Sequence, residues 1–276
     1  MKKILVPTDF SDYADYALDA AIKLAKKTNA SIHVLHFMSI PIDWLGLDNS
    51  QTKMYPDITK KVNQTNHKLD ALVDKARNSD VEATKFLGYN ESYTSIIQHI
   101  EKHHIDMVVM GSKGTSGVKE IIIGSVTQKV VRLSPVPVLV VKDHLTTVDE
   151  VNFVMVAGFD EDMDRAFDKL VNFARLVSAK VHLLFVNTPL NFTSTDKASA
   201  RMAQYAERGG DLIESVNIYN AYSFEEGVKK FTEGIENSII AMATHSRRGI
   251  DRFVSGSLTE QMVNHIQEPL LSFHLQ

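Results

Sequence analysis

The chain repeats itself, and the repeat limits what it can fold into. Residues 4–37, ILVPTDFSDYADYALDAAIKLAKKTNASIHVLHF, align without a gap on 153–186, FVMVAGFDEDMDRAFDKLVNFARLVSAKVHLLFV, so that Phe10 meets Phe159 and His33 meets His182. Further on, GSKGTSGVKEIIIGS at 111–125 returns in worn form as ATHSRRGIDRFVSGS at 243–257. The openings are offset by 149 residues and the loops by 132. The first copy therefore carries about seventeen more residues, which the stretch 40–62 with Pro41, Trp44, Gly46 and Pro56 accommodates. A period this long marks two copies of one folding unit. The expected units are 1–142 and 151–276, joined by the polar, glycine-free segment DHLTTVDE at 143–150. Each is long enough to bury its own core.

Within each unit, short apolar runs alternate with amphipathic ones. Ile4–Pro7, Ser31–Phe37, Glu82–Leu87, Asp106–Met110 and Val138–Val141 are rich in Val, Ile, Leu and Met, as strands covered on both faces are. Their counterparts fall at 153–157, 180–186, 213–219, 238–243 and 270–274. Between the first two strands, Tyr13, Tyr16, Ala17, Ala20 and Leu24 share one helical face behind the capping candidates Ser11 and Asp12. Helices of the second copy are expected at 161–177, 195–208, 222–234 and 257–266. Such alternation predicts an α/β fold, each copy a doubly wound five-stranded parallel sheet. Two strand orders are open, 3-2-1-4-5 and 2-1-3-4-5, and each puts a ligand crevice at its own switch point. The glycine loop follows strand 4, which favours 3-2-1-4-5, with Pro7, Thr8 and Asp9 after strand 1 lining the same crevice. The terminal strands, VPVLVV at 136–141 and PLLSFHL at 269–275, follow prolines and would sit at sheet edges that invite pairing. Strand 5 of one copy is expected to meet strand 5 of the other, giving a pseudo-twofold tandem.

Composition excludes several classes. A formal net charge of −4 offers no broad basic field for nucleic acid. The absence of cysteine removes disulfides, thiolate metal sites and thiol nucleophiles, and fits a reducing, cytoplasmic setting. The opening MKKILVPTDF is too short an apolar run for a secretory signal, and no stretch reaches the roughly 18 apolar residues of a membrane span.

The loop at 111–125 carries the chemistry. Glycines at Gly111, Gly114 and Gly124 let backbone amides approach an anion, and Ser125 stands where a helix should begin, with the amides of Val126 and Thr127 behind it. A helix amino terminus offers unpaired N–H groups and a favourable dipole to phosphate. Lys113 could pair with a phosphate or face water.

The pattern GxxG, nine residues, then G[S/T], with the opening ILVPTDFS and the closing SPVPVLVVK, resembles the universal stress protein family over nearly the whole chain. The resemblance implies a fold of the adenine nucleotide α-hydrolase-like kind, which binds ATP in many members and no nucleotide in others; the ligand expected here is ATP, with or without Mg²⁺. It implies Asp9 near the adenosine end, backbone groups of Phe37 and Met38 toward adenine, and Gly111, Gly114, Gly124 and Ser125 around the phosphates. The second copy departs at those positions: Gly158 replaces Asp9, Ala243 replaces Gly111 and Ser246 replaces Gly114, while Gly249, Gly256 and Ser257 remain. The nucleotide is therefore expected in the first copy only.

Other residues read as structural. His33 and His182 lie inside strands at matching positions, whereas His103 and His104 precede strand 4 at the sheet end away from the crevice and are expected at the surface. No metal-ligand set is assigned. The acidic run 160–162 and the pair Glu225 and Glu226 sit at helix starts, where carboxylates suit the dipole. No GxSxG, HExxH or GxxxxGK[ST] pattern occurs, and no general base is evident. The expected function is an ATP-binding stress-response regulator acting on an unknown protein partner. The alternatives are a slow ATPase or nucleotidyl transferase using the same cleft, or an interaction module without ligand. Homodimer formation is left open.

Overall fold

A computed structural model of the chain describes residues 1–47, 54–90, 93–112, 124–159, 163–245 and 266–275. The strands are β1 Lys3–Pro7, β2 Ser31–Met38, β3 Ala83–Tyr89, β4 Met107–Gly111, β5 Val138–Val141, β6 Asn152–Val156, β7 Lys180–Asn187, β8 Ile213–Asn220, β9 Ser238–His245 and β10 Leu270–Leu275. The helices are α1 Asp12–Thr28, α2 Pro56–Arg77, α3 Tyr93–His103, α4 Ser125–Leu133, α5 Asp164–Leu176, α6 Thr195–Gly209 and α7 Phe224–Thr232. The expected helix at 257–266 and the loop residues Lys113, Gly114, Ser246, Gly249, Gly256 and Ser257 lie outside the described residues.

All ten strands form one sheet in the order β3-β2-β1-β4-β5-β10-β9-β6-β7-β8. Each half has the expected order 3-2-1-4-5, and every pairing is parallel except one. β5 and β10 run antiparallel, Leu271 opposite Leu139. That is the strand-5 contact expected from the sequence, and it fuses the two five-stranded sheets into one. Thr244 adds a cross-half bond, its hydroxyl donating to the Val131 carbonyl at 3.4 Å.

Both faces of the sheet are covered, which explains why the strands read as unbroken apolar runs. One layer unites Ile4, Val6, Leu18, Leu69, Phe153, Phe167 and Met202 beneath α1, α2, α5 and α6. The other unites Leu5, Leu35, Ile96, Val130, Val154 and Val228 beneath α3, α4 and α7. Each layer runs through both halves.

Local signals explain the first helix. The Ser11 hydroxyl caps the Ala14 amide of α1, and Asn29 ends the helix in left-handed geometry, φ 53°. Its counterpart, Ser178, follows α5 at φ 52°. The linker does not hang free. Lys23 donates to the carbonyls of Leu145 and Thr146, and Lys27 to the Val148 carbonyl at 3.1 Å and the Asp149 carboxylate at 2.7 Å, so 143–150 is fastened along α1.

Candidate functional site

The carboxyl ends of β1 and β4, adjacent in the sheet, form the switch point. After β1 the chain turns sharply. Pro7 ends the strand, Thr8 is buried with its amide donating to the Leu35 carbonyl at 2.8 Å, and Phe10 is left-handed at φ 63°. A bulky side chain seldom adopts that backbone, and such strain gathers at functional turns. The Thr8 hydroxyl accepts the Phe10 amide at 3.1 Å, and His36 Nδ1 donates to the Thr8 carbonyl at 2.7 Å. The Asp9 carboxylate accepts both the amide and the hydroxyl of Ser11, at 3.1 and 2.6 Å. Its position is thereby set by the residue that caps α1.

Across the switch point, the Gly124 amide donates to the Ser112 carbonyl at 3.0 Å, bringing together the two ends of the segment that contains Lys113 and Gly114. Gly124 is the N-cap of α4 and no side chain among the described residues caps that helix. Helix geometry leaves the amides of Ser125, Val126 and Thr127 without intrahelical acceptors. Ser125 and Val126 are exposed, whereas Thr127 is buried and spends its hydroxyl on the Gly111 carbonyl at 3.0 Å. Gly111 itself has a packing reason to be glycine: a Cβ there would fall 2.6 Å from the Tyr13 carbonyl oxygen and 2.8 Å from its Cβ.

At the other end of the crevice, Phe37 and Met38 finish β2, each partly exposed, and the Met38 carbonyl accepts the Asn90 amide at 2.9 Å. A hollow of about 540 Å³ opens there, lined by Met38, Lys61, Gln64, Thr65, His67 and Lys68. The Lys68 ammonium lies 5.2 Å from the Phe10 ring centre. The 40–62 stretch begins at this end. Asn90 clamps Ile40 through both amide atoms, at 2.7 and 2.6 Å, and Trp44 meets Tyr89 edge-on at 5.6 Å. His36, Asn90 and Lys68 were not singled out from sequence, since residues distant along the chain meet only through the sheet order.

At the corresponding place in the second half the described side chains turn inward. Phe159, again left-handed at φ 51°, is 2% exposed and packs edge-on against Tyr205 of α6 at 5.5 Å. Asn187, aligned with Met38, is buried; its amide donates to Asn220 at 3.0 Å and its oxygen accepts the Thr193 amide at 2.9 Å. Gly158 brings no carboxylate to the turn.

The strand histidines also differ. His182 Nε2 donates to Asn152 Oδ1 at 3.2 Å, which leaves Nδ1 to accept the Ser215 hydroxyl at 2.7 Å. Burial holds its pKa below the ordinary value, against a smaller opposing effect of Glu214. It is the satisfied structural histidine the sequence suggests. His33 instead faces His99 and His103 of α3, and His103 is half-buried rather than a plain surface residue.

The chain matches the model of the universal stress protein family over residues 1–142 and again over 152–274. It is 33% identical over 145 residues to the universal stress protein YxiE of Bacillus subtilis, covering 51% of this chain and 98% of that one. Universal stress protein Slr1230 of Synechocystis is 22% identical over 99% of this chain and 100% of its own length. The crystal structure of a universal stress protein from Archaeoglobus fulgidus superposes with a TM-score of 0.76 at 20% identity, covering 99% of this chain and 98% of that one. Duplicated opening, duplicated strand order and duplicated family match agree: this chain belongs to the universal stress protein family and carries two copies of its fold in tandem.

Proposed function

We propose that the protein is a cytoplasmic, ATP-binding regulator of a stress response whose first half alone holds the nucleotide, with or without Mg²⁺. The observation that carries this reading is the amino terminus of α4, which no side chain among the described residues caps and which is pinned through Gly124 to Ser112 beside the turn at Thr8 and Asp9. Unpaired amides at a helix start bind phosphate without further apparatus. In this reading Gly111, Lys113, Gly114, Gly124, Ser125, Val126 and Thr127 surround the phosphates. Pro7, Thr8 and Asp9 shape and face the sugar, and Phe37 and Met38 border the base. The buried Phe159 and the internally bonded Asn187 at the equivalent place support a second half without nucleotide. The cysteine-free composition supports the reducing compartment.

Isothermal titration with ATP tests the reading. Wild type binds one nucleotide per chain; Ser125→Asp, which sets a negative charge among the phosphate-binding amides, weakens binding by roughly tenfold or more. Ser257→Asp, at the equivalent position of the second copy, leaves binding unchanged. No heat at millimolar ATP, or equal losses in the two variants, overturns it.

A further inference from the structure

His33, His99 and His103 bring three imidazoles together at the end of the sheet opposite the crevice, and their ring nitrogens lie within 4.8 Å of one another. We propose that this cluster is a binding site for a borderline divalent transition-metal cation, zinc foremost, and that it is independent of the nucleotide cleft.

The placement follows from secondary structure. His99 and His103 are four residues apart on α3, so they share one face, and their rings stack at 4.2 Å. His33 is the third residue of β2, on the sheet face that α3 covers. Its Nδ1 lies 3.3 Å from His99 Nε2. Two imidazole nitrogens bound tetrahedrally to zinc, each at about 2.0–2.1 Å, stand about 3.3 Å apart, so the pair already has the spacing of two ligands. His103, on the last turn of α3 and half-buried, completes the set by a small ring movement.

Ligand chemistry selects the metal. The cluster contains imidazoles alone, which suit zinc, copper, nickel and cobalt and not magnesium or calcium. Three protein nitrogens leave a fourth position to water. Phe86 walls the site, its ring 4.6 Å from both His33 and His99 and 4.9 Å from His103, supplying the apolar surround that strengthens such sites. Burial foremost, then neighbouring positive charge, holds His33 and His99 at about 4, so both rings are neutral and able to ligate at physiological pH. The basic groups that face the cluster are Lys3, Lys102 and His104; the Lys3 ammonium is held on the His103 carbonyl at 3.0 Å.

The second half shows that the arrangement is no requirement of the fold. Val108 and Ile240 lie opposite Leu5 and Val154 respectively, the same shift of 132 residues as the loops. By that shift His99 corresponds to Phe231 and His103 to Ile235, while Asn152 and Ser215 occupy both nitrogens of His182. The same position closes well with apolar helix residues, so the two helix histidines of the first half have no packing necessity.

The test uses the untagged, chelator-treated full chain without nucleotide. Zinc titrated calorimetrically binds at one per chain, and cobalt substituted for it gives the visible absorption of a four-coordinate site. His99→Phe, which installs the residue of the second half, weakens zinc by at least roughly tenfold, while His104→Ala does not. Should His99→Phe fail to fold by circular dichroism, His103→Ala on the last turn of α3 gives the same readout. No zinc uptake by wild type, or equal uptake by wild type and whichever variant is folded, overturns the site.

Discussion

The two halves share strand order, a left-handed phenylalanine after their first strand and a left-handed residue after their first helix, and yet they keep different things open. In the first half Phe10 and Met38 are partly exposed beside a hollow, and three imidazoles at the opposite end face one another, His33 Nδ1 lying 3.3 Å from His99 Nε2. In the second, Phe159 is swallowed by the core, Asn187 is satisfied by its own chain and His182 is bonded at both nitrogens. Duplication preserved the framework, where every backbone bond depends on its neighbours. Side chains at the two ends of the sheet were free to diverge because the ladders do not need them.

Truncating the two phenylalanines should separate them most sharply. Phe159→Ala removes a fully buried ring and should cost about 3–5 kcal/mol in urea unfolding. Phe10→Ala, partly exposed, should cost about 1 kcal/mol and act on nucleotide affinity instead. Equal costs would mean that the second crevice is as open as the first. Next in size, Gly111→Ala forces a methyl onto the Tyr13 backbone and should destabilise by about 3 kcal/mol. The mirror change Ala243→Gly should cost only about 0.5–1 kcal/mol, chiefly through chain entropy; a neutral Gly111→Ala would show that this strand end has room in both halves.

The smallest effect lies in pH. His33 and His99 fall from 6.5 to about 4 in the folded chain, so the unfolded chain takes up protons first on acidification. Their contribution is complete above pH 6.5 and is lost as pH falls toward 4. In chelator, the melting temperature should therefore drop over that window, and His99→Phe should flatten the drop. His182→Asn, removing a group whose lowering by burial is opposed by Glu214, should flatten it less.

Much of this was legible in the chain because it is periodic. Repeated openings and loops at two offsets gave the tandem, the strands and the order 3-2-1-4-5, since apolar runs covered on both faces can hardly be read otherwise. The switch point was legible through Pro7–Asp9 and Gly111, whose positions after strands 1 and 4 carry meaning by topology alone. The reason for Gly111 was not, because the atom that forbids a side chain belongs to Tyr13, nearly a hundred residues earlier.

Sequence by itself determined the architecture, because hydrophobic period and turn chemistry are local and add up along the chain. Tertiary structure alone decided which halves stay open and which side chains meet. Those outcomes depend on a few ångströms between elements far apart in sequence: His33 against α3, Phe159 against Tyr205, Met38 against α2. Whether the histidine at a given strand position is bonded at both nitrogens or turned toward two others is set by what the neighbouring strand and the covering helix place beside it, and no period along the chain records that.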